Sequence, residues 1–405
     1  MGQAKTAMME SEARGWDAPD SWVCTECVED AFLKELVTAN EEECECSYCG
    51  RVSDTPIAAP AECVMQAIAD TVYYWYAPPQ EVGVPYEDGE WVIQTSVTAE
   101  VMAELGLDCQ AQFFEDVLSG FHNTCWAECS EGFWAATREN QLLRLAWKSF
   151  VEVVKHRTRF HFLAQKDGVA YDTDYLTPDE VLSSIAELLR KFEMLWEVQA
   201  GTSIFRCRVR GPHDQWEPDK AQLGAPPSAR ASAGRMNPAG IAYFYGAFEP
   251  GTAIGEVVLH PPTAIAMGVF KTIHPLIVAD LTKLPPIPSV FDNSRRNERE
   301  AILFLREFTR QISKPIQKNG MEHIDYVPSQ VVCEYLAQVF EIDDEGRRLD
   351  GIVYPSSIKP GCNNIVLFPS ERSWKNKFDR LAFVRSRVVH IEDWNKLTNA
   401  LSMTS

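Results

Sequence analysis

IFRCRVRG at residues 204–211, LGAPPSARASAGRMNPAGIAYFYG at 223–246 and GTAIGE at 251–256 are three pieces of one segment, Ile204–Glu256, and its reading decides the fold. The segment gathers arginines, alternating aromatics and a glutamate after a Gly-Thr turn. The surrounding chain is acidic, with a formal net charge of -20. A pocket for a phosphate-bearing ligand is one reason for such a basic island. Arg206 and Arg208 stand two apart on a predicted strand and so share a face. Arg235 follows a glycine in a turn-rich loop that can approach a ligand closely. Guanidinium groups grip phosphates bidentately and stay charged at any working pH. Tyr243 and Tyr245 alternate on the next run and can stack on a flat ring. Glu256 follows Pro250-Gly251-Thr252 and is expected near the start of a strand. A carboxylate among arginines and tyrosines can stabilise a cationic, sugar-like transition state. Ser356, in VYPSS, adds a hydroxyl on a loop after a later strand. An arginine on a strand face is more often a solvated residue or a salt-bridge partner. A glutamate after a turn is more often surface. Spacing alone therefore leaves both readings open.

Working outward, 405 residues predict two or three domains, each with its own core. Hydrophobic residues at 45% and charged residues at 24% are those of an ordinary globular protein. The balance of 38 Lys and Arg against 58 Asp and Glu argues against general nucleic-acid binding, which needs a basic face. No stretch reaches the roughly 18 apolar residues of a membrane span. The start, MGQAKTAMMESEARG, has no apolar core of a secretion signal. MGQAKT fits a loose myristoylation pattern, read here as coincidence within a polar tail. Of twelve cysteines, five lie between Cys24 and Cys49. A chain this long does not depend on disulfides, so the cluster points to metal binding in a reducing cytoplasm.

Cys24-Thr25-Glu26-Cys27 and Cys46-Ser47-Tyr48-Cys49 are two CxxC knuckles separated by a short helical segment. Each knuckle turns two thiolates toward one side, and two knuckles supply four soft ligands for a tetrahedral ion. Structural zinc on Cys24, Cys27, Cys46 and Cys49 is the expectation, with Cys44 as a spare that could displace Cys46. A closed four-cysteine site leaves no open position for a substrate.

From Ala58 to about Ala200 the pattern is mostly helical. ENQLLRLAWKSFVEVVKHR places Leu142, Leu143, Ala146, Phe150, Val153 and Val154 on one side. Thr177-Pro178-Asp179-Glu180 is a capping box with proline at the first helical position, and its helix is expected to end near Glu197. A small helical bundle is the expectation. His156 and His161 flank an RTRF stretch but are read as structural or solvated rather than nucleolytic. His122, Cys125 and Cys129 in HNTCWAEC lack a fourth ligand and are read as helix-borne core and surface residues. The composition changes at Gly201. Short β-like runs follow, among them SIFRCRVR, IAYFYGAF, IGEVVLHP, TAIAMGVFKT and HPLIVADL. Helical segments at Glu298–Ile312 and Ser329–Phe340 and the runs DGIVYPSS and NNIVLFPS complete an α+β pattern. FVRSRVV at 383–389 is a candidate last strand, before a helix-like tail.

The order of arginine, glutamate and serine, with their surrounding words, resembles the RES domain. The matching segments are IFRCRVR, LGAPP, AGRMNPAGIAYFYGA, GTAIGE, PLIVADL, YVPSQVVCEYL, DGIVYPSS and NNIVLF, from about Gly201 to Pro369. CTECVEDAFLKEL followed by CSYCG looks like the zinc-bearing, HEPN-like helical region found before such domains, although a complete HEPN nuclease motif is not apparent. The resemblance implies an ADP-ribosyltransferase-like mixed β domain and an NAD-degrading activity of the kind found in toxins. It divides the chain into a tail (1–20), a zinc knuckle (21–55), a helical HEPN-like domain (56–200), a RES domain (201–392) and a C-terminal tail (393–405). Carried over residue by residue, Arg206 is the arginine that holds the NAD phosphates, with Arg208 as its alternative. Tyr245 is the aromatic eleven positions before the glutamate, Glu256 the glutamate and Ser356 the serine. Arg235 is a second ligand-binding arginine, and Asn364 a polar position after the serine loop. Some small toxins carry a histidine some fifteen residues after the glutamate, where this chain has Lys271, which puts the acceptor in question. The expected function is cleavage of the nicotinamide–ribose bond of NAD by water or phosphate. The alternatives are ADP-ribose transfer to a protein, or a zinc and helical sensor with a RES output. The resemblance also implies an antitoxin or other regulatory partner; the alternative expectation is that the extra N-terminal region holds the enzyme off, through homo-oligomerisation.

Overall fold

In a computed structural model of the chain, the described residues are 9, 11–129, 134, 139–159, 176–211, 214, 216–258, 260–314, 320–369 and 379–402. His161 lies outside them. Two compact units form, Met1–Leu142 with Pro286–Ala301, and Leu143–Pro285 with Ile302–Ser405.

In the first unit, β1 (Trp22–Cys24) pairs antiparallel with β2 (Ala58–Pro60). Between them the helix Ala31–Ala39 starts at Asp30, whose carboxylate accepts from the Phe32 and Leu33 N–H groups. That cap satisfies two of the donors every helix start leaves open. The helix Ala61–Trp75 carries Val64, Met65, Ile68, Val72 and Trp75 into a core with Val101, Phe113, Val117 and Trp126. Full burial of one such side chain contributes on the order of 1.5–3 kcal/mol. The chain then makes β3 (Tyr76–Ala77) and the hairpin β4 (Tyr86–Glu87) and β5 (Glu90–Trp91). It continues through β6 (Thr95–Val97), the helices Thr98–Leu105 and Ala111–Gly120, and β7 (Cys125–Glu128).

The strands of the small sheet run β3-β7-β6 and are set among the helices of this mostly helical region. HNTCWAEC is not helix-borne, because tertiary pairing on both sides of β7 overrides its ambiguous local pattern. The Trp126 indole N–H donates to Thr98 Oγ1 at 2.9 Å and so keeps a partner in the core. His122 pairs with Asp17 at 3.0 Å.

In the second unit Phe150, Val153 and Val154 are buried, as the helical spacing predicts. The capping box at Thr177 and Glu180 is present, with Pro178 in the first turn of the helix Pro178–Lys191. This helix ends earlier than expected. The chain reverses through Glu193, at φ 51, and enters β8 (Leu195–Val198).

Seven further strands follow: β9 (Ser203–Arg210), β10 (Phe244–Ala247), β11 (Thr263–Thr272), β12 (Leu276–Asp280), β13 (Gly351–Pro355), β14 (Asn363–Leu367) and β15 (Leu381–Ile391). They form one sheet in the order β15-β11-β9-β10-β14-β13-β12-β8. Its neighbours are antiparallel except β12 and β13. A parallel pair needs a long crossover, and the helices Arg296–Ser313 and Val327–Gln338 lie between those two strands in sequence. The fold is α+β, with a large mixed sheet in the C-terminal half.

Alternation along the strands separates two apolar layers. Ile204, Phe244, Ala266, Val353, Ile365 and Leu367 build one. Phe205, Cys207, Ala247, Ile265 and Met267 build the other, with Ala253 and Ile254 of the helix Pro250–Gly255 and Leu397 of the helix Trp394–Leu401. Ile254 and Gly255, expected to open a strand at IGEVVLHP, instead close the helix Pro250–Gly255. Pro250 sits in its first turn, where the missing N–H costs nothing and the fixed φ favours a helix start.

Candidate functional site

The site is built where β9 and β10 part. The two strands share a single register pair, Ala247 with Phe205, and then diverge. On the far side β10 stays zipped to β14, from Phe244↔Leu367 to Ala247↔Asn364. Into this fork opens a cavity of about 270 Å³, lined by Arg206, Tyr245, Glu256, Tyr354 and Asn364 and floored by Phe205 and Cys207. Its volume is at the low end of ligand pockets.

Glu256 closes the helix Pro250–Gly255 as its C-terminal cap, rather than opening a strand. Gly255 permits close approach here, since a Cβ on it would lie 3.0 Å from Ile358 Cγ2 and 3.1 Å from Leu401 Cδ2. The loop after β13 therefore folds directly against the glutamate. Ser356 Oγ donates to Glu256 Oε1 at 3.0 Å, and Asn364 Nδ2 donates to the same oxygen at 2.7 Å. Ser356 Oγ in turn accepts from the Ile358 and Lys359 N–H groups, both at 3.2 Å, which fixes its rotor. Among the described residues no hydrogen bond reaches Glu256 Oε2. One carboxylate oxygen is anchored, and the other has no partner among the described residues.

Arg206 and Arg208 separate clearly. Arg206 Nη1 reaches across the fork to the Tyr245 carbonyl at 3.0 Å, with its guanidinium 5.2 Å from the Phe244 ring centre. Burial lowers its pKa to about 10, so the cation persists at neutral pH. Arg208 is exposed, donates to the Gln222 carbonyl and to Gln222 Oε1, and lies over Trp216. It does not line the cavity.

Tyr245 lines the cavity with its ring, but its hydroxyl is already engaged. It donates to Asn237 Oδ1 at 2.7 Å and accepts from the Met236 N–H at 3.1 Å. Asn237 Nδ2 caps the carbonyls of Ser232, Pro238 and Ile241, so the GRMNP turn is a fully bonded unit. Tyr243 is buried against Phe368. Arg235 does not line the cavity; its Nη1 donates to the Ser313 carbonyl at 2.7 Å. Its charge is felt at Tyr354, whose hydroxyl burial pushes up strongly while Arg235 pulls it down and Glu256 adds to the rise.

Tyr354 is the residue the sequence reading did not single out. It lies two positions before Ser356 on β13, and strand alternation together with the YPSS word was the available signal. The arrangement as a whole places a half-buried cation, an aromatic wall and an oriented carboxylate around one small cavity.

The cysteines make a separate cluster in the first unit. Cys24, Cys27, Cys46 and Cys49 bring their sulfurs within 4.8 Å of one another. Cys24 to Cys27 is 3.8 Å, Cys24 to Cys49 3.6 Å and Cys27 to Cys46 3.7 Å. Sulfurs at the corners of a tetrahedron about a thiolate-bound ion, each about 2.3 Å from it, stand about 3.8 Å apart. Burial alone would raise the Cys46 thiol, but N–H groups of Cys49, Tyr48 and Cys24 outweigh it and bring the pKa to about 7. The group can hold a metal ion. Cys44 is not part of it.

Residues 204–379 match the RES domain, and residues 39–168 match HEPN/RES N-terminal domain 1. A search of curated proteins finds no match. Among solved structures, one reported as the crystal structure of the M. tuberculosis MbcT-MbcA toxin-antitoxin complex is similar at 14% identity. The similarity covers 54% of this chain and 96% of that one, with a TM-score of 0.30.

Proposed function

We propose that this protein, a RES-domain chain with a HEPN/RES N-terminal domain, cleaves the bond between nicotinamide and ribose in NAD. The observation that carries the reading is Glu256, held through Oε1 by Ser356 and Asn364 at the edge of a cavity that Arg206 also lines. As the glycosidic bond lengthens, positive charge gathers on the ribose. A carboxylate already fixed in place stabilises that charge without having to reorganise. Oε2 faces the developing cation, while Ser356 and Asn364 prevent the carboxylate from turning away. Arg206 keeps N–H groups beyond its bond to the Tyr245 carbonyl, and these grip the pyrophosphate. The ring of Tyr245 packs against the nicotinamide or its ribose. Arg235 adds positive potential from outside the cavity wall. Arg208, exposed and tied to Gln222, drops out of the ligand set.

The products are nicotinamide with ADP-ribose or its phosphorylated form, depending on whether water or phosphate attacks. Such an activity suits a toxin or defence effector restrained by a partner protein. The four cysteines are assigned to structural zinc, since four thiolates with tetrahedral spacing favour that ion. NAD labelled in the adenosine half tests the reaction type. Soluble labelled product supports hydrolysis or phosphorolysis, separated by adding phosphate. Label retained on protein supports ADP-ribose transfer instead. Intact NAD in both wild type and Glu256→Gln sinks the proposal.

A further inference from the structure

Besides Glu256 Oε2 and the spare Arg206 N–H groups, the cavity lining holds a donor and an acceptor without a partner among the described residues. Asn364 is almost fully buried, and its Nδ2 is committed to Glu256 Oε1, which fixes which way its amide faces. Its Oδ1 is buried with no hydrogen-bond partner. Buried acceptors are nearly always paired, so one beside a ligand cavity calls for a donor from elsewhere. Tyr354 is its register partner across β13 and β14, and both side chains line the same cavity. The Tyr354 hydroxyl makes no hydrogen bond to any described residue. Burial holds its pKa far above neutrality, so it is a neutral donor.

We propose that Tyr354 and Asn364 form a subsite for a primary carboxamide, that of the leaving nicotinamide. The Tyr354 hydroxyl donates to the amide oxygen, and Asn364 Oδ1 accepts from the amide NH2. This deepens the NAD-cleavage reading and rests on it. A carboxylate in the same place has no proton for Asn364 Oδ1 and brings its negative charge beside Glu256. The subsite therefore selects the amide over the acid. A sugar diol could use the same two groups, since hydroxyls both donate and accept, but it would leave the enzyme indifferent between amide and acid.

The test uses the full chain with NAD and with nicotinic acid adenine dinucleotide, which differ only in this group. The expected result is at least a roughly 100-fold higher kcat/KM for NAD, in the range a site built to bond a polar group achieves. In Tyr354→Phe the ring is kept, and NAD kcat/KM is expected to fall about tenfold or more while the preference shrinks. Cleavage of both dinucleotides at equal rates overturns the subsite and leaves the cleavage reading standing. Calorimetric binding of free nicotinamide and nicotinate to wild type provides an arm independent of turnover. Nicotinamide is expected to bind at least about tenfold more tightly. Should no NAD be cleaved, the cleavage reading fails, and this arm alone decides. A preference for nicotinamide that Tyr354→Phe abolishes supports the subsite. Equal binding, or none, overturns it.

Discussion

Glu256 and the two arginines on β9 show how much one side chain's surroundings decide. Arg206 and Arg208 share a strand and a spacing, and nothing in IFRCRVR separates them. The separation comes from β10, which leaves β9 after one register pair and opens a gap at Arg206. Arg206→Ala is expected to cut NAD turnover by roughly 10²-fold, the usual cost of removing a preorganised charge contact. Arg208→Ala, an exposed substitution, is expected to stay within about twofold of wild type. Steady-state kinetics on both variants checks this, and equal losses would remove Arg206 from its assigned place. The carboxylate and the serine could be picked out from residue type, and the structure adds that they are hydrogen-bonded to each other. Tyr354 and the anchoring of Tyr245 by Asn237 were not legible. They depend on which groups β13, β14 and the GRMNP turn bring to the same place, and no local pattern states that.

The helix Val327–Gln338 supports the site without touching the cavity. Gln330 Nε2 donates to the carbonyls of Gly234 and Asn237 at 2.8 and 3.0 Å, and Ser329 Oγ donates to the carbonyl of Arg235. The same helix carries Glu334, half-buried, whose carboxyl burial alone holds above its ordinary pKa. A carboxyl with a raised folded-state pKa contributes stability that is fully present below its unfolded pKa and is lost as pH rises through the folded value. Near neutral pH the ionised Glu334 is therefore a liability. Glu334→Gln is expected to raise the thermal midpoint slightly at pH 7 and to give no gain below the usual carboxylate range. A gain of equal size at both pH values would assign the effect to packing instead. Elements with β-branched runs or a capping box were legible from sequence, as the helix Pro178–Lys191 and β11 to β14 show. Two were not. The helix Pro250–Gly255 hid in a short glycine-containing run, although Pro250 signalled its start. Strand β7 is specified by its partners on either side rather than by its own residues.

The four-cysteine cluster lies in one compact unit and the fork cavity in the other. The four cysteines lie on two segments separated in sequence, so an ion bound between them is expected to contribute directly to folding of the first unit. Elemental analysis of purified protein should find zinc in equal proportion to the chain. Cys46→Ser should lose the ion and render the first unit sensitive to protease. Protein free of metal and fully resistant would show that the four sulfurs pack without a ligand. The acidic balance, 38 Lys and Arg against 58 Asp and Glu and legible from composition, argues against a broad nucleic-acid face. The central claim remains that Glu256 stabilises a ribose cation formed from NAD. It is tested most directly by chromatographic measurement of NAD and nicotinamide after incubation with wild type and Glu256→Gln, with and without phosphate. The account predicts that wild type releases nicotinamide as NAD disappears, and that Glu256→Gln is slower by roughly 10²–10³-fold. NAD left intact by wild type, or consumed equally fast by both proteins, would contradict it.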